Sequence, residues 1–418
     1  MTRKTSLRFI MILLCVSGVL LILSKTSVLP SPFGGSARFL HTLTDPSASG
    51  SESLNSSESQ QIGAPYDTDP QYPGLNTTGT ESIKQWMELP IIGNDPDALD
   101  DAGESLRRWP DELSIPQLHN PDLNAIAAQN GDSQPLKGVT VILSAGRGGE
   151  DTGAIWGKGA DAVMEKTILL DLAEKTGDIL IKRGATVVQT RTTDESCSYF
   201  SVVAKAADVA LTRYRDLAIE ASYHPEPIDQ LRLLMGDVIR INENSDASGG
   251  RGLFGTIGTP PQLRVLYDIE YQFADIILIH LTLGFDEDDT SVSGAQAYYM
   301  SADFVSNVNN GYAEGQDALK LPPNYTLINS AGRANLALLL KSHLARLEPM
   351  LRPVDGQESG QQIDLAVLRL SNFVSAVFEP GYLSNESDRA ILTSDDGRSN
   401  IAQSIANAIC QYYAYPIG

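Results

Sequence analysis

The sequence predicts an α/β domain with a twisted, largely parallel central sheet of about six strands and helices on both faces. Apolar runs with the length of buried strands occur at 139–143, 276–279 and 374–378, and helical stretches separate them. Strands that are apolar on both faces are typical of the middle of a sheet that is covered on both sides. This alternation of strands and helices favours a mostly parallel sheet.

The first 25 residues have the composition of a membrane anchor or a signal segment. Arg3, Lys4 and Arg8 precede an apolar run over residues 9–23, and basic residues on that side favour a cytoplasmic N-terminus. The run is close to the lower length limit for a membrane span, and no small-x-small cleavage site follows closely. We therefore expect a single-pass cell-membrane protein with its domain outside the cytoplasm. The alternative is secretion after signal cleavage.

Residues 26–135 are predicted to form a low-complexity linker and a partly ordered lead-in. Residues 26–80 are rich in Ser, Pro, Gly, Thr and Asn, and burial of so few large apolar side chains cannot offset the ordering entropy. Residues 81–135 contain scattered large apolar residues, but Asp and Pro interrupt every candidate helix. The domain itself is expected to span 136–418.

Charge and cysteine content exclude two classes of function. The 418-residue chain has a formal net charge of −21, and an anionic chain is repelled by phosphate backbones, so nucleic acid is not an expected partner. Its three cysteines, Cys15, Cys197 and Cys410, form no C-x-x-C motif. A zinc site made of thiolates is therefore not expected either.

The domain is predicted to open with a β-α-β unit. The strand at 139–143 ends in a glycine-rich loop at 144–149, and an amphipathic helix is expected over 163–183. Gly184 occupies the position at which a helix commonly stops, and the next strand covers 185–190. Such a unit implies a parallel pair of strands with a covering helix.

The rest of the domain contains a predicted insertion at about 204–261, which is part helix and part polar loop. Regular structure resumes at 263, and a further strand is expected at 295–300. Helices are predicted over 330–347 and 399–412, on either side of the last central strand.

Polar residues accompany the ends of the three apolar strands. Arg147, His280 and Glu379 lie at these ends, and Glu165 lies in the first turn of the first helix. The carboxyl ends of strands line the ligand crevice in open α/β sheets. One His and two Glu at such positions form a reasonable metal-hydrolase constellation, although each alone has an ordinary structural explanation.

Five motifs in the chain resemble those of zinc-dependent N-acetylmuramoyl-L-alanine amidases. The glycine-rich segment is similar to the family's opening V-I-D-P-G-H-G-G-x-D-P-G-A, and the motif order is the family's order. The matching segments are residues 141–154, 165–173, 184–194, 274–280 and 379–385. The resemblance covers about residues 138–412.

This resemblance implies an activity, a cofactor and site residues. The family cleaves the amide between the lactyl group of muramic acid and the first L-alanine of the stem peptide. Its zinc is held by His, Glu and His, and a second Glu acts on the attacking water. By this correspondence Glu165 and His280 match zinc ligands, Glu379 matches the catalytic glutamate, and the partner is peptidoglycan or its muropeptides.

The chain departs from the family pattern around the expected metal. Arg147 stands where the first zinc histidine belongs, and arginine has no lone pair to offer a metal near neutral pH. Ser144 replaces the family's Asp, Leu278 replaces its Ser, and Thr282 replaces its Asn. These changes all concern the same site.

Three hypotheses follow from this substitution. The first is an active zinc amidase in which His224, in the insertion, or Asp151, just past the loop, replaces the missing ligand. The second is an inactive amidase-like domain that binds peptidoglycan or regulates a true amidase. In that case Arg147 is expected to bridge Glu165 and Glu379, since a guanidinium pairs well with carboxylates. The third is a purely structural membrane-tethered domain.

Overall fold

The computed structural model describes the domain and two short strands before it. It covers residues 115–242, 252–255, 257–315, 321–353 and 359–415, together with the backbone of Asn94–Leu99 and Ser105–Arg107. The predicted anchor or signal segment at 1–25 lies outside the described residues, as does most of the predicted linker. Within the described residues, no helix has both the length and the apolar character needed to cross a bilayer.

The domain contains strands and helices in alternation. The strands are β1 (Asn94–Leu99), β2 (Ser105–Arg107), β3 (Thr140–Ala145), β4 (Ile155–Trp156), β5 (Val163–Met164), β6 (Thr186–Gln189), β7 (Ile276–Leu281), β8 (Gln296–Tyr299), β9 (Gln361–Gln362) and β10 (Val374–Glu379). The α-helices are α1 (Leu123–Ala127), α2 (Glu165–Lys182), α3 (Tyr199–Glu220), α4 (Glu226–Ile241), α5 (Pro261–Gln272), α6 (Ala302–Ala313), α7 (Ser330–Leu347), α8 (Ala366–Arg369), α9 (Glu386–Thr393) and α10 (Asp395–Ala414). Single 3-10 turns occur at Gly159–Asp161, Gly252–Gly255 and Pro349–Leu351.

Six of these strands form one mixed, mostly parallel sheet in the order β6-β3-β7-β10-β8-β9. The first four strands in this order are parallel, β8 runs antiparallel to β10, and β9 is parallel to β8. The predicted fold class is therefore confirmed. The chain places β6 and β7 on opposite sides of β3, so the sheet has a switch point there, where a ligand crevice is expected.

Alternation along the strands divides the apolar residues between two cores, because successive side chains in a strand face opposite sides of the sheet. Ile142, Leu278 and Val377 lie in the core that is completed by α3, α4 and α5. Leu143, Ile279 and Phe378 lie in the other core, which is completed by α2, α7 and α10. Both faces of the central strands are thus covered, as their continuous apolar runs require.

The residues just before the first core strand are packed against the domain. The backbone amides of Leu118 and His119 donate to Oε1 of Gln272, over 2.9 and 3.2 Å. The Tyr214 hydroxyl donates to the carbonyl of Pro116 over 2.8 Å. Residues of the predicted lead-in thus contact helices α3 and α5, and the domain boundary at 136 stays a prediction.

The start of α2 differs from the sequence-based expectation in a way that matters for the site. The sequence predicted this helix from residue 163, but Val163 and Met164 form β5 and pair with Trp156 and Ile155 of β4. The helix begins two residues later, at Glu165, with Met164 in an extended conformation before it. This short β4–β5 ribbon fixes the position of Glu165 at the helix start.

Glu270 in α5 is a buried carboxyl group far from the crevice. Its Oε2 accepts the backbone amide of Asn372, whereas its Oε1 accepts no hydrogen bond from the described part of the chain. Burial raises the pKa of Glu270 from 4.5 to about 8, and the Asn372 amide and the Arg333 charge offset this only in part. The folded protein therefore holds this group as a neutral acid at pH 7.

Glu270→Gln should make the free energy of unfolding less dependent on pH. The unfolded chain ionises this carboxyl near pH 4.5 and the folded chain only near pH 8, so the wild type loses stability as the pH rises between these values. Urea titrations at pH 5 and pH 8.5 should show that, at the higher pH, the variant has a larger free energy of unfolding than the wild type, by on the order of 2 kcal/mol. Glu174→Gln, at an exposed position in α2, is the control. Equal pH dependence in wild type and Glu270→Gln would contradict the assignment.

Candidate active site

Glu165 lies at the centre of the crevice, and its carboxylate is almost completely buried. Oε1 accepts hydrogen bonds from the Thr282 hydroxyl and the Leu283 amide, both over 2.9 Å. Oε2 accepts the Ala154 amide over 2.8 Å and lies 3.3 Å from Nε of Arg147. Both carboxylate oxygens therefore have two donors each.

Arg147 follows β3 and places its guanidinium against this carboxylate. Its backbone is left-handed, with φ of 66°, which is uncommon for a residue with a side chain. Besides Glu165 it pairs with Asp151, with Nη1 and Oδ2 at 3.6 Å. Burial is the largest single influence and works against the charged form, but Glu165, Tyr199 and Asp151 together outweigh it, and the pKa of Arg147 rises above its ordinary value. The side chain is therefore a permanent cation.

The glycine-rich loop that carries Arg147 depends on one glycine and one buried arginine. Gly153 has φ of 62°, and a Cβ on it would lie 2.3 Å from Oε2 of Glu165. Below the loop, the buried guanidinium of Arg191 donates to the carbonyls of Ala145, Gly146 and Lys166 over 2.8–3.0 Å. These contacts fix the loop between β3 and the start of α2.

His280 is the fifth residue of β7 and lies beside the loop. Its Nδ1 is 2.9 Å from the hydroxyl of Ser144, its neighbour across the β3–β7 register, and Thr190 donates to the same hydroxyl. Burial lowers the pKa of His280 to about 3, and the charges of Arg147 and Arg191 add to this effect. The imidazole is therefore neutral at physiological pH, and its orientation is fixed by Ser144.

Glu379, the last residue of β10, is the second buried carboxyl of the crevice. Val377 pairs with His280 across the parallel strands, so Glu379, two residues on, lies on the same face as His280. Its Oε1 accepts no hydrogen bond from residues that the structure describes. Burial raises the pKa of Glu379 to about 8, the Glu165 carboxylate adds to this rise, and Tyr382, Arg147 and Tyr298 offset it only in part.

The structure thus brings Arg147, Glu165, His280 and Glu379 to one edge of the sheet, but not His224. Tyr199, at the start of α3, contacts the His280 ring, with ring centroids 5.3 Å apart. His224 follows the other end of that 22-residue helix, which is roughly 33 Å long. The His224 side chain is half exposed and faces Glu226.

Asp151 is linked to the crevice residues by its ion pair with Arg147. Its side chain is half exposed at the edge of the loop, and its Oδ1 accepts the Gly153 amide over 2.9 Å. Among all described residues, no group of three or more His, Cys, Asp or Glu side chains is arranged to hold a metal ion.

The chemistry of the donors explains this result and does not fit a catalytic zinc ion. Such an ion needs three protein ligands and one open position. Here both oxygens of Glu165 already accept hydrogen bonds or pair with the guanidinium, and the Arg147 cation stands beside them. Only His280 offers an uncharged nitrogen. The residues present therefore do not supply the ligand set of a catalytic zinc ion.

Four contributors to the site were not assigned a role from the sequence. Thr282 and Ser144 were noted as departures from the family pattern, and the structure shows what they do: one donates to Glu165, and the other contacts His280. Arg191 lies within the motif at 184–194, which is the signal that marked it. The Leu283 amide carries no sequence signal, because any residue except proline supplies one.

Comparison with known proteins identifies the family. The family model described as N-acetylmuramoyl-L-alanine amidase matches residues 141–220 and 269–411, which together make up more than half of the chain. The chain therefore belongs to this family, and its domain is of the amidase-type, cell-wall hydrolase class. Members of the family are typically zinc-dependent. The gap in the match, 221–268, overlaps the predicted insertion.

Individual relatives match over short stretches. The chain is 39% identical over 77 residues to "Probable cell wall amidase LytH" of Staphylococcus epidermidis, which covers 18% of this chain and 26% of that protein. It is 40% identical over 62 residues to "Germination-specific N-acetylmuramoyl-L-alanine amidase" of Bacillus subtilis, or 15% of this chain and 24% of that protein. The chain thus spans only about a quarter of the length of these curated relatives.

Solved structures of amidases cover more of the chain at lower identity. "N-acetylmuramoyl-L-alanine amidase AmiC2 of Nostoc punctiforme" is 16% identical with a TM-score of 0.37, covering 66% of this chain and 97% of that chain. Ami1 from Mycobacterium smegmatis, titled an N-acetylmuramyl-L-alanine amidase, is 14% identical with a TM-score of 0.40 and covers 66% and 98%.

Arg191→Met should destabilise the domain by about 3 kcal/mol, because it removes the donors of several buried carbonyls. Guanidinium chloride unfolding measures this loss as a lower midpoint. Arg240→Met is the matched control, since Arg240 is exposed and its ion pair among the described residues is with Asp237 on the surface. This control should change stability by less than about 0.5 kcal/mol. An Arg191→Met variant as stable as the control would show that the loop does not depend on Arg191.

Proposed function

We propose that this domain binds peptidoglycan stem peptides in the crevice at the ends of β3, β7 and β10, without a catalytic zinc ion. Family membership supports the class of ligand, since the family is named for its action on the bond between muramic acid and L-alanine. Binding to muropeptides is the part of that activity which needs a shaped crevice but no metal-bound hydroxide.

The ion pair between Arg147 and Glu165 is the observation that carries this proposal. Nε of Arg147 and Oε2 of Glu165 are 3.3 Å apart in a water-poor setting, and the remaining lone pairs of that carboxylate accept three other donors. A guanidinium in this position supplies the positive charge that stabilises the carboxylate. It cannot activate water, because it does not lower the pKa of a bound water molecule as zinc does.

Hydrolysis is the second candidate function, and Glu379 is the observation that favours it. This carboxyl is buried, and its Oε1 lacks a hydrogen-bond partner among the described residues. A buried polar atom without a protein partner requires an explanation, and a ligand or a reacting group is one. A purely structural domain gives no reason to keep such a group at the end of a central strand.

The site of action is part of the same proposal. The basic residues before the apolar run at 9–23 support a single-pass membrane protein whose domain lies outside the cytoplasm, where peptidoglycan is found. Protease added to intact spheroplasts should digest an extracytoplasmic domain. Full protection of the domain would contradict this topology.

Arg147→His should convert the site into one that binds zinc. The change removes the cation, frees Oε2 of Glu165 and offers a nitrogen ligand next to His280. We expect the unmodified protein to purify without stoichiometric zinc and the variant to bind close to one zinc ion per chain, as measured by metal analysis and competition with a chromogenic chelator.

Arg147→Gln is the control, since it removes the charge without supplying a strong ligand and should bind no zinc. His224→Ala should leave metal content and muropeptide binding unchanged, because this histidine lies far from the crevice. Stoichiometric zinc in the unmodified protein, together with release of stem peptides from muropeptides, would contradict the proposal and establish the hydrolase alternative.

A further inference from the structure

An exposed tryptophan lies at the rim of the crevice. Trp156 belongs to the β4–β5 ribbon, and its side chain remains 37% exposed. The ribbon begins next to Ala154, whose amide donates to Glu165, and ends at Met164, directly before Glu165. Two residues span at most about 7 Å, so Trp156 lies close to the buried carboxylate.

Arg389 of α9 is stacked on this ring, with its guanidinium carbon 3.9 Å from the ring centroid. Its Nη1 donates to the carbonyls of Leu383 and Ser384, over 3.0 and 3.1 Å, and these bonds hold the guanidinium in one plane. Nε and Nη2 of Arg389 donate to no acceptor in the described ranges. The guanidinium therefore keeps three of its five N–H donors for a ligand.

The stacked pair joins the two chain segments that carry the buried carboxyl groups. Trp156 is carried by the ribbon that leads into Glu165, whereas Arg389 is fixed by the loop that follows Glu379. A planar guanidinium held by stacking and by backbone carbonyls is already oriented for a bidentate contact. The edge formed by Nε and Nη2 matches the geometry of a carboxylate.

We propose that Trp156 and Arg389 form a subsite for a carboxylate of the stem peptide. This inference rests on the proposed function and adds which part of the muropeptide is recognised. Stem peptides carry free carboxylates, whereas a glycan strand of N-acetylated sugars with substituted lactyl groups carries none, so a guanidinium selects the peptide. In a chain with a net charge of −21, a local cation at the crevice rim also favours an anionic ligand there.

The test compares two ligands and three variants by isothermal titration calorimetry, with a chelator present so that binding is measured without turnover. The ligands are N-acetylmuramoyl-L-alanyl-D-glutamate and the same molecule with both glutamate carboxylates converted to amides. The variants are Arg389→Gln, Arg389→Lys and Trp156→Ala. Arg240→Gln, an exposed arginine on α4, is the matched control.

The wild type should bind the acid at least about tenfold more tightly than the diamide, because charge-assisted hydrogen bonds are lost with the carboxylates. Arg389→Gln should weaken binding of the acid by a similar factor and bind both ligands equally. Arg389→Lys should recover only part of the lost affinity, since lysine keeps the positive charge but cannot make the bidentate contact of a guanidinium. Trp156→Ala should weaken binding of the acid, while Arg240→Gln should bind like the wild type.

Equal affinity of the wild type for both ligands would overturn the subsite while leaving the proposed function in place. So would undiminished preference for the acid in Arg389→Gln. Tight binding of a chitin oligosaccharide that is lost in Trp156→Ala would show instead that the rim of the crevice recognises the glycan. No binding of either ligand by the wild type would overturn the proposed function and the subsite with it. The ligand pair keeps the test valid even if a variant fails to fold.

Discussion

The buried carboxylate of Glu165 is the interaction on which the geometry of the crevice depends. A carboxylate out of water is costly unless its oxygens are paired, and here the glycine-rich loop, the end of β7 and the start of α2 all converge on it. Gly153 must be a glycine because any side chain there would collide with this group. Arg147 has a left-handed backbone conformation in the same loop, which costs about 1 kcal/mol. The ion pair with Glu165 offsets this cost.

The pairing of Glu165 with Arg147 differs from the role that the family resemblance implies for this glutamate. By resemblance, Glu165 would present its lone pairs to zinc, together with two histidines. In this chain the Arg147 guanidinium lies 3.3 Å from that carboxylate and balances its negative charge. The neighbouring groups remain in place: His280 is held by Ser144, and Glu379 stays buried at the end of β10. These side chains keep the crevice polar and help to hold its shape.

Much of the fold was predictable from the sequence because burial leaves a periodic signal. The central strands are apolar on both faces, so their place in a covered sheet and the position of their ends followed directly. Which side chains pair with one another was harder to predict from the sequence. The sequence suggested that Arg147 bridges Glu165 and Glu379, whereas the structure shows its ion pairs with Glu165 and Asp151 and an electrostatic effect on Glu379. Contacts between distant segments, such as Trp156 with Arg389, leave no periodic trace, and the distance of His224 became clear only from the length of α3.

We propose that a guanidinium, and not a metal ion, pairs with Glu165 in the unmodified protein. Anomalous diffraction at the zinc absorption edge, from crystals of the protein grown with and without zinc, tests this directly. We expect no anomalous peak between Glu165 and His280 in either crystal, with the Arg147 guanidinium within pairing distance of the Glu165 carboxylate. A zinc peak bonded to Glu165 and His280, with the Arg147 side chain turned away from them, would contradict it.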